Sequence, residues 1–338
     1  MRGSKERMHM SSEGFIKRLR SERLLLPPLA GYTDYPYRRI LAEFDTPFMC
    51  TEMVSSDAVL RENPRTVKML KRPKGDPMHG AQIFGENPES MASAAEMIER
   101  LGFDYVDINM GCAVKAIIRN GAGVSLMGDP VKAKSVVSAV VEATSIPVTC
   151  KIRLGESRRE LNALELSRML DDVGVSAITV HGRSGEKKFG EPINYGAIRE
   201  IVESVPVPVV GNGGVFNGAD ALDMVRLTGV DAVMPGRGLI GNPWIVDEIR
   251  SAFRGESFLG PYLDERKRVC RRHLEYLVDF FGEKDGVVSM RRVLPRYFSG
   301  AVHAVDLRKK MVYVSSIEGM LGVLDRLMED GDRIIYQK

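Results

Sequence analysis

The chain has 338 residues, of which 44% are hydrophobic, and a formal net charge of +3: enough apolar material for a well-formed core, and too little charge to argue for nucleic acid by itself. No aliphatic run approaches the ~20 residues a bilayer span needs, and the amino terminus carries no apolar signal segment, so a soluble, cytoplasmic protein with no membrane partner is expected. Cys50, Cys112, Cys150 and Cys270 lie far apart with no CxxC or Cys/His spacing, which leaves reduced thiols and no metal as the expectation.

In chain order, residues 1–20 read as a disordered leader. Short β-branched, apolar runs bounded by Gly, Pro and polar residues then recur at Leu24–Leu29, Phe48–Val54, Met78–Phe84, Tyr105–Asn109, Val148–Ile152, Ala177–His181, Val207–Gly211 and Ala232–Met234. Helical periodicity fills the gaps, over Ser90–Leu101, Val131–Ala143, Glu160–Val173, Tyr195–Val202 and Ala219–Leu227. Eight evenly spaced strand–helix units predict an α/β fold, a (β/α)8 TIM barrel over residues 21–255, in preference to a doubly wound sheet. After Phe253 the strands stop, and Asp264–Phe281 places Cys270, Leu274, Leu277 and Phe281 on one helical face, so residues 256–338 read as a smaller C-terminal α-helical domain. Between Asp264 and Lys310 that region holds twelve Lys or Arg against seven Asp or Glu.

Barrel active sites are built at the carboxyl ends of the strands. Those ends carry Glu52, Ser55, Gln82, Asn109, Lys151, Arg153, His181, Arg183, Asn212 and Arg237. Strand starts lie mostly 24 to 30 residues apart, but the fourth-to-fifth interval is 43, and the surplus "NMGCAVKAIIRNGAG" reads as a lid or substrate loop. No apolar periodicity surrounds Cys112 there, so its thiol is a candidate proton donor or latent nucleophile, with Lys115 and Arg119 expected to lower its pKa. "VVGNGGVFN" and "VMPGRGLIGNP" follow strands seven and eight; either their glycines only make tight turns, or their backbone N–H groups take a phosphate with help from Arg237. Lys151 ends a buried strand and needs an anionic partner, a cofactor or a strand carboxylate. His181 reads as a core histidine or a site residue, Gln82 as a strand cap or an amide for a heterocycle edge, and Glu52 as an ion-pair member or a direct participant.

Taken together, "PPLAGYTDYPYRRI", "TEMVSS", "AQIFGENPE", "VDINMGCAVKAIIRNGAGVSLMGDP", "KIRLG", "VHGRSG", "VVGNGGV" and "PGRGLIGNPWI" resemble, in order, the motif set of the tRNA-dihydrouridine synthases, from about Leu26 to Ile245 and more loosely through "MRRVLPRYFSGAVHAVDLRKKM". The resemblance implies an FMN-dependent enzyme that reduces the C5–C6 double bond of uridines in tRNA with NADPH as electron donor. It implies Cys112 as the proton donor, Pro28, Leu29 and Ala30 as a ledge under the flavin, and Gln82, Lys151 and His181 as flavin contacts. Asn212, Gly213, Gly214, Gly236 and Arg237 match the phosphate clasp. Asn109, Arg183, Lys267, Arg271, Arg291, Arg292 and Lys309 are the expected contacts to the substrate or its RNA, and the protein is expected to be a monomer. The chain departs from the family in having Ala113 where a proline usually follows the cysteine, and in carrying Lys187 and Lys188 in a segment that is aromatic-rich in relatives. Two rival readings stay open: an FMN barrel acting on a free pyrimidine, as dihydroorotate or dihydropyrimidine dehydrogenases do, and a non-catalytic RNA-binding flavoprotein.

Overall fold

In a computed structural model, residues 10–75, 77–186, 191–299 and 313–329 are described. The strands are β1 (Phe48–Cys50), β2 (Val54–Ser55), β3 (Met78–Phe84), β4 (Tyr105–Met110), β5 (Val148–Arg153), β6 (Ala177–His181), β7 (Val209–Asn212) and β8 (Ala232–Met234). All pairings are parallel in the order β1-β3-β4-β5-β6-β7-β8, with β2 also on β3. Residues 24–26 bring the two edges together: Leu25 N donates to Val233 O at 3.1 Å, Val233 N to Arg23 O at 2.9 Å and Leu26 N to Phe48 O at 3.0 Å. The result is a (β/α)8 TIM barrel followed by C-terminal helices.

Two predicted strands are shorter than expected, each for a local reason. The Leu24–Leu29 run stops pairing after Leu26 because Pro27 and Pro28 have no N–H to offer the ladder. The Phe48–Val54 run splits: Cys50 pairs with Gly80 but Val54 with Ile83, so four steps on one strand oppose three on its neighbour, a bulge of one residue. Thr51 holds it, its N donating to Gly80 O at 3.0 Å and its hydroxyl accepting from Gln82 N at 3.1 Å. The kink turns Met53 toward the barrel mouth.

The disordered leader expected over residues 1–20 is corrected from Ser12 onward, where α1 (Ser12–Glu22) begins, capped by Ser11; residues 1–9 lie outside the described part. Phe15 and Leu19, one helical turn apart, are fully buried with Leu25, Phe48, Met78, Tyr105 and Ala177 at the amino ends of the strands. The Phe15 ring lies 5.3 Å from those of Phe48 and Tyr105, so α1 plugs the floor of the barrel.

The outer helices are α2 (Tyr35–Ala42), α3 (Ser56–Leu60), α4 (Pro64–Met69), α5 (Pro88–Arg100), α6 (Lys115–Arg119), α7 (Pro130–Ala143), α8 (Ala163–Val173), α9 (Tyr195–Ser204), α10 (Gly218–Thr228) and α11 (Ile245–Arg254). The surplus between β4 and β5 contains α6 and a 3-10 turn over Gly123–Gly128. Beyond the barrel, α12 (Leu263–Phe281) and α13 (Glu283–Tyr297) cross closely enough that a Cβ on Gly286 would fall 2.8 Å from the Leu277 backbone, and α14 (Ile317–Glu329) packs on both. Val269, Cys270, Leu274, Leu277, Met290 and Leu294 belong to the same apolar cluster as the barrel's outer layer, so the helical segment shares its core with the barrel. The rings of Tyr37 of α2, His273 of α12 and Tyr297 of α13 meet at that junction, and Trp244 Nε1 donates to Glu265 Oε1 at 2.7 Å. These contacts hold α13 over the barrel mouth.

Candidate active site

The carboxyl ends of the strands surround a cavity of about 590 Å3, within the range that holds a cofactor-sized ligand. Pro28, Leu29, Ala30, Asn109, Cys112, Lys151, His181, Arg183, Asn212, Gly213, Gly214, Gly236 and Arg237 all line it. Each comes from a strand end or the loop after it. The lining residues that sequence reasoning missed include Tyr32, Met53, Phe216, Ile240 and Arg296. Arg296 arrives from α13, and no local pattern in "LPRYFSG" marks it.

Charge is one-sided here. Lys151, Arg153, Arg183, Arg237 and Arg296 line the cavity, and no described Asp or Glu does. The accumulated charge is visible in the titration of its members. Burial, and then Arg153, bring Lys151 from the ordinary 10.5 down to about 8, against the pull of Asp107. His181 is pushed down to about 2 by burial and by Lys151, Arg153, Arg183 and Arg237, so it is a neutral imidazole at any physiological pH. An anion entering the cavity would relieve this repulsion.

The loops after β7 and β8 provide the place. Gly213 and Gly214 have φ of 108° and 75°, and a Cβ on Gly213 would fall 2.5 Å from Ile193 Cδ1 and 2.9 Å from the His181 ring, so only glycine serves there. A Cβ on Gly236 would meet nothing within 4 Å, leaving its backbone open to a ligand. The Arg237 guanidinium sits 5.4 Å from the Phe216 ring centroid at the same rim. The Asn212 side chain is committed elsewhere: Oδ1 accepts from Lys151 Nζ at 2.9 Å and Nδ2 donates to Met234 O at 2.8 Å, so it aims the lysine.

Cys112 lies on the opposite wall, half-buried, while Cys50, Cys150 and Cys270 are buried. Burial raises the pKa of those three thiols well above the ordinary thiol range and keeps them inert. The Cys112 backbone is held on both sides, its N donating to Asn109 Oδ1 at 2.9 Å and its O accepting from Val124 N at 3.0 Å. Gly123 makes this possible: at φ 65°, a Cβ there would fall 2.6 Å from Cys112 O. Lys115 and Arg119, expected beside the thiol, are exposed on α6. Its cationic neighbour is Arg153, whose guanidinium is lowered by burial, supported by Cys112 and opposed by Arg183, and which donates to Gly111 O at 2.6 Å and Ser184 O at 2.9 Å.

Several expected site residues are not brought to the cavity. Gln82 is buried beneath it, with Nε2 donating to Asp107 Oδ2 at 2.6 Å and Oε1 accepting from Asn109 Nδ2 at 2.8 Å. Glu52 accepts from Gly31 N and fixes the turn after Ala30; burial and this carboxylate raise Asp34, which caps α2, to about 7. Lys267, expected as an RNA contact, is only 7% exposed and its Nζ has no hydrogen-bond partner; burial lowers its pKa. Arg271 pairs with Asp325 at 2.7 Å, and Arg291 donates to Val314 O at 2.9 Å. Arg292 is exposed at the rim, where a Cβ on Gly31 would fall 3.1 Å from its Nη1. Lys309, Lys187 and Lys188 lie outside the described residues.

With this geometry in view, the comparisons are specific. A family model described as dihydrouridine synthase matches residues 25–329. The chain belongs to the dihydrouridine synthase family. It is 35% identical over 278 residues to tRNA-dihydrouridine synthase B of Pseudomonas putida, covering 82% of both chains. It is 33% identical over 290 residues to a probable tRNA-dihydrouridine synthase of Rickettsia conorii, covering 85% of this chain and 88% of that one. It is also 32% identical over 279 residues to tRNA-dihydrouridine synthase B of Pasteurella multocida, covering 82% and 84%. The matched span takes in the barrel mouth and α12, α13 and α14, so this family membership covers both walls of the cavity.

Proposed function

We propose that the protein is an FMN-dependent tRNA-dihydrouridine synthase: it reduces the C5–C6 double bond of particular uridines in tRNA, with NADPH as the electron donor. The observation that carries this reading is the presence, in one cavity, of five cationic side chains, no described carboxylate and a half-buried thiol. The residues present fit FMN. The left-handed Gly213–Gly214 turn, the open backbone at Gly236 and Arg237 suit its phosphate, Pro28, Leu29 and Ala30 offer an apolar ledge for its ring, and Lys151 supplies a positive charge in the same cavity. Bound FMN would supply the redox chemistry, through which reducing equivalents from NADPH would reach C6 of the uracil as a hydride.

The chain's own residues do the rest. Cys112 delivers the Sγ proton to C5 from the face opposite the hydride, so the base gains one hydride and one proton and the sulfur is left as a thiolate to be reprotonated from solvent. Lys151, aimed by Asn212, stabilises negative charge in the cavity with little rearrangement, because it is already in place. His181 stays neutral and can hydrogen-bond without adding charge. A stacked uridine must leave its stack to reach the cavity, and Arg183, Arg292 and Arg296 at the rim are placed to hold the flanking phosphates. Lys267 is too buried for that task as it stands, and Arg271 and Arg291 would first have to leave their partners.

The test is to incubate NADPH-reduced protein with unmodified tRNA, and separately with free uracil, and to map dihydrouridine by position. Dihydrouridine in tRNA with negligible conversion of uracil is the expected result. Conversion of uracil with no modified tRNA would replace this reading with that of a small-molecule pyrimidine reductase.

A further inference from the structure

Among the described residues, Asp107 is the one carboxylate buried under the mouth of the barrel, and the chemistry proposed above leaves it without a task. It sits on one rung of the sheet between Gln82 of β3 and Thr149 of β5. Its Oδ2 accepts from Gln82 Nε2 at 2.6 Å and its Oδ1 from Thr149 Oγ1 at 2.6 Å. Gln82 Oε1 then accepts from Asn109 Nδ2 at 2.8 Å, and Asn109 Oδ1 accepts from the backbone N of Gly111 at 3.2 Å and of Cys112 at 2.9 Å.

The direction of this chain is dictated by its ends. A backbone N–H can only donate, and an ionised carboxylate can only accept. With two amides between them, each has one orientation that satisfies both neighbours. If Gln82 turned over, its carbonyl would face Asp107 and its NH2 would face the NH2 of Asn109; if Asn109 turned over, its NH2 would face two backbone N–H groups. Ala113 places no ring constraint on the loop after the thiol, so its placement rests on these bonds together with the one from Val124 N to Cys112 O.

We infer that Asp107 is a positioning residue: by accepting from Gln82 it fixes the orientation of Gln82 and Asn109, and through them holds the backbone of Cys112 where the thiol faces the cavity. Gln82 thereby acts on the thiol loop. The assignment rests on Cys112 as the proton donor, and its test separates the two.

The experiment compares FMN-loaded parent, Asp107→Asn, Asp107→Leu and Gln82→Met proteins at equal flavin content. Amide hydrogen exchange is followed in the peptide spanning Gly111 and Cys112, together with reoxidation of the reduced flavin by unmodified tRNA. In Asp107→Asn the new amide can still turn its oxygen to Gln82 and its NH2 to the Thr149 hydroxyl, so that variant stays within about twofold of the parent in both readouts. Asp107→Leu and Gln82→Met each speed exchange at this peptide by about fivefold or more and slow reoxidation by a similar factor, with tRNA half-saturation changed by less than about twofold. If Asp107→Leu does not fold or load flavin, Gln82→Met carries the test alone. Parent-like exchange in the variants lacking a link, or an Asp107→Asn protein as impaired as the leucine variant, would overturn the inference. If instead Cys112→Ala reduced tRNA at the parent rate, the acid assignment would fail while the exchange data still reported on the relay.

Discussion

At the amino ends of the barrel strands Phe15, Leu19, Phe48, Met78 and Tyr105 fill the interior completely; at the carboxyl ends the same strands and their loops leave an open cavity walled by Lys151, Arg153, Arg183 and Arg237. The floor is stabilised by burial, with aromatic rings in edge contact. The mouth is built against stability: like charges crowd together, a lysine is depressed to about 8, and a carboxylate is raised to about 6 by burial. One hydrogen-bonded ladder joins them. A well-buried floor lets the mouth carry crowded charge without losing its geometry, which is how barrels keep stability and chemistry at opposite rims.

Substitutions at either end should therefore fail in different ways. The largest effect on folding is expected at the floor: Phe15→Ala should cost about 3–5 kcal/mol in chemical denaturation while leaving the per-flavin activity of the folded fraction close to the parent's. Gly123→Ala sits between the two regions, since it forces a left-handed residue and a Cβ 2.6 Å from Cys112 O. It should cost about 1–3 kcal/mol and, unlike the floor variant, lower activity per bound flavin as well.

Lys151→Met sharpens the contrast through pH. The folded lysine loses its proton near 8 and the unfolded one near 10.5, so between those values the unfolded chain binds more protons and parent stability rises with pH. That rise should be absent in Lys151→Met. FMN affinity should move the other way: in the parent it should fall by up to about tenfold per pH unit above 8, and in the variant it should be weaker and flat, as titrated by flavin fluorescence. The smallest effect is expected at Arg271→Ala. Its pairing with Asp325 is largely exposed, so stability should change by less than about 1 kcal/mol, and any loss should appear only as weaker tRNA half-saturation.

The barrel and the thiol are legible in the sequence because both rest on local signals: alternation of apolar runs with helical periodicity, and polar residues at strand ends. Gln82 shows where such signals stop. Its strand-end position is visible, but whether its amide faces the cavity or Asp107 depends on the register that sets Gln82 beside Asp107. Asp107 itself, two positions before the strand-end Asn109 in "VDINMG", reads as an interior strand residue. Arg296 is invisible because its place in the cavity depends on α13 lying over the mouth, a tertiary contact set by Tyr37, His273 and Tyr297. The first strand reads too long because an apolar run continues through Leu29 while the two prolines silently remove its donors.

The central claim is that Cys112 is the acid of a site whose other wall holds the flavin. The direct test is stopped-flow reoxidation of the NADPH-reduced protein by unmodified tRNA, comparing parent with Cys112→Ala at matched flavin content. The alanine variant should keep its FMN and its melting temperature and be reoxidised about 10²–10⁴-fold more slowly. Reoxidation at the parent rate would contradict the account.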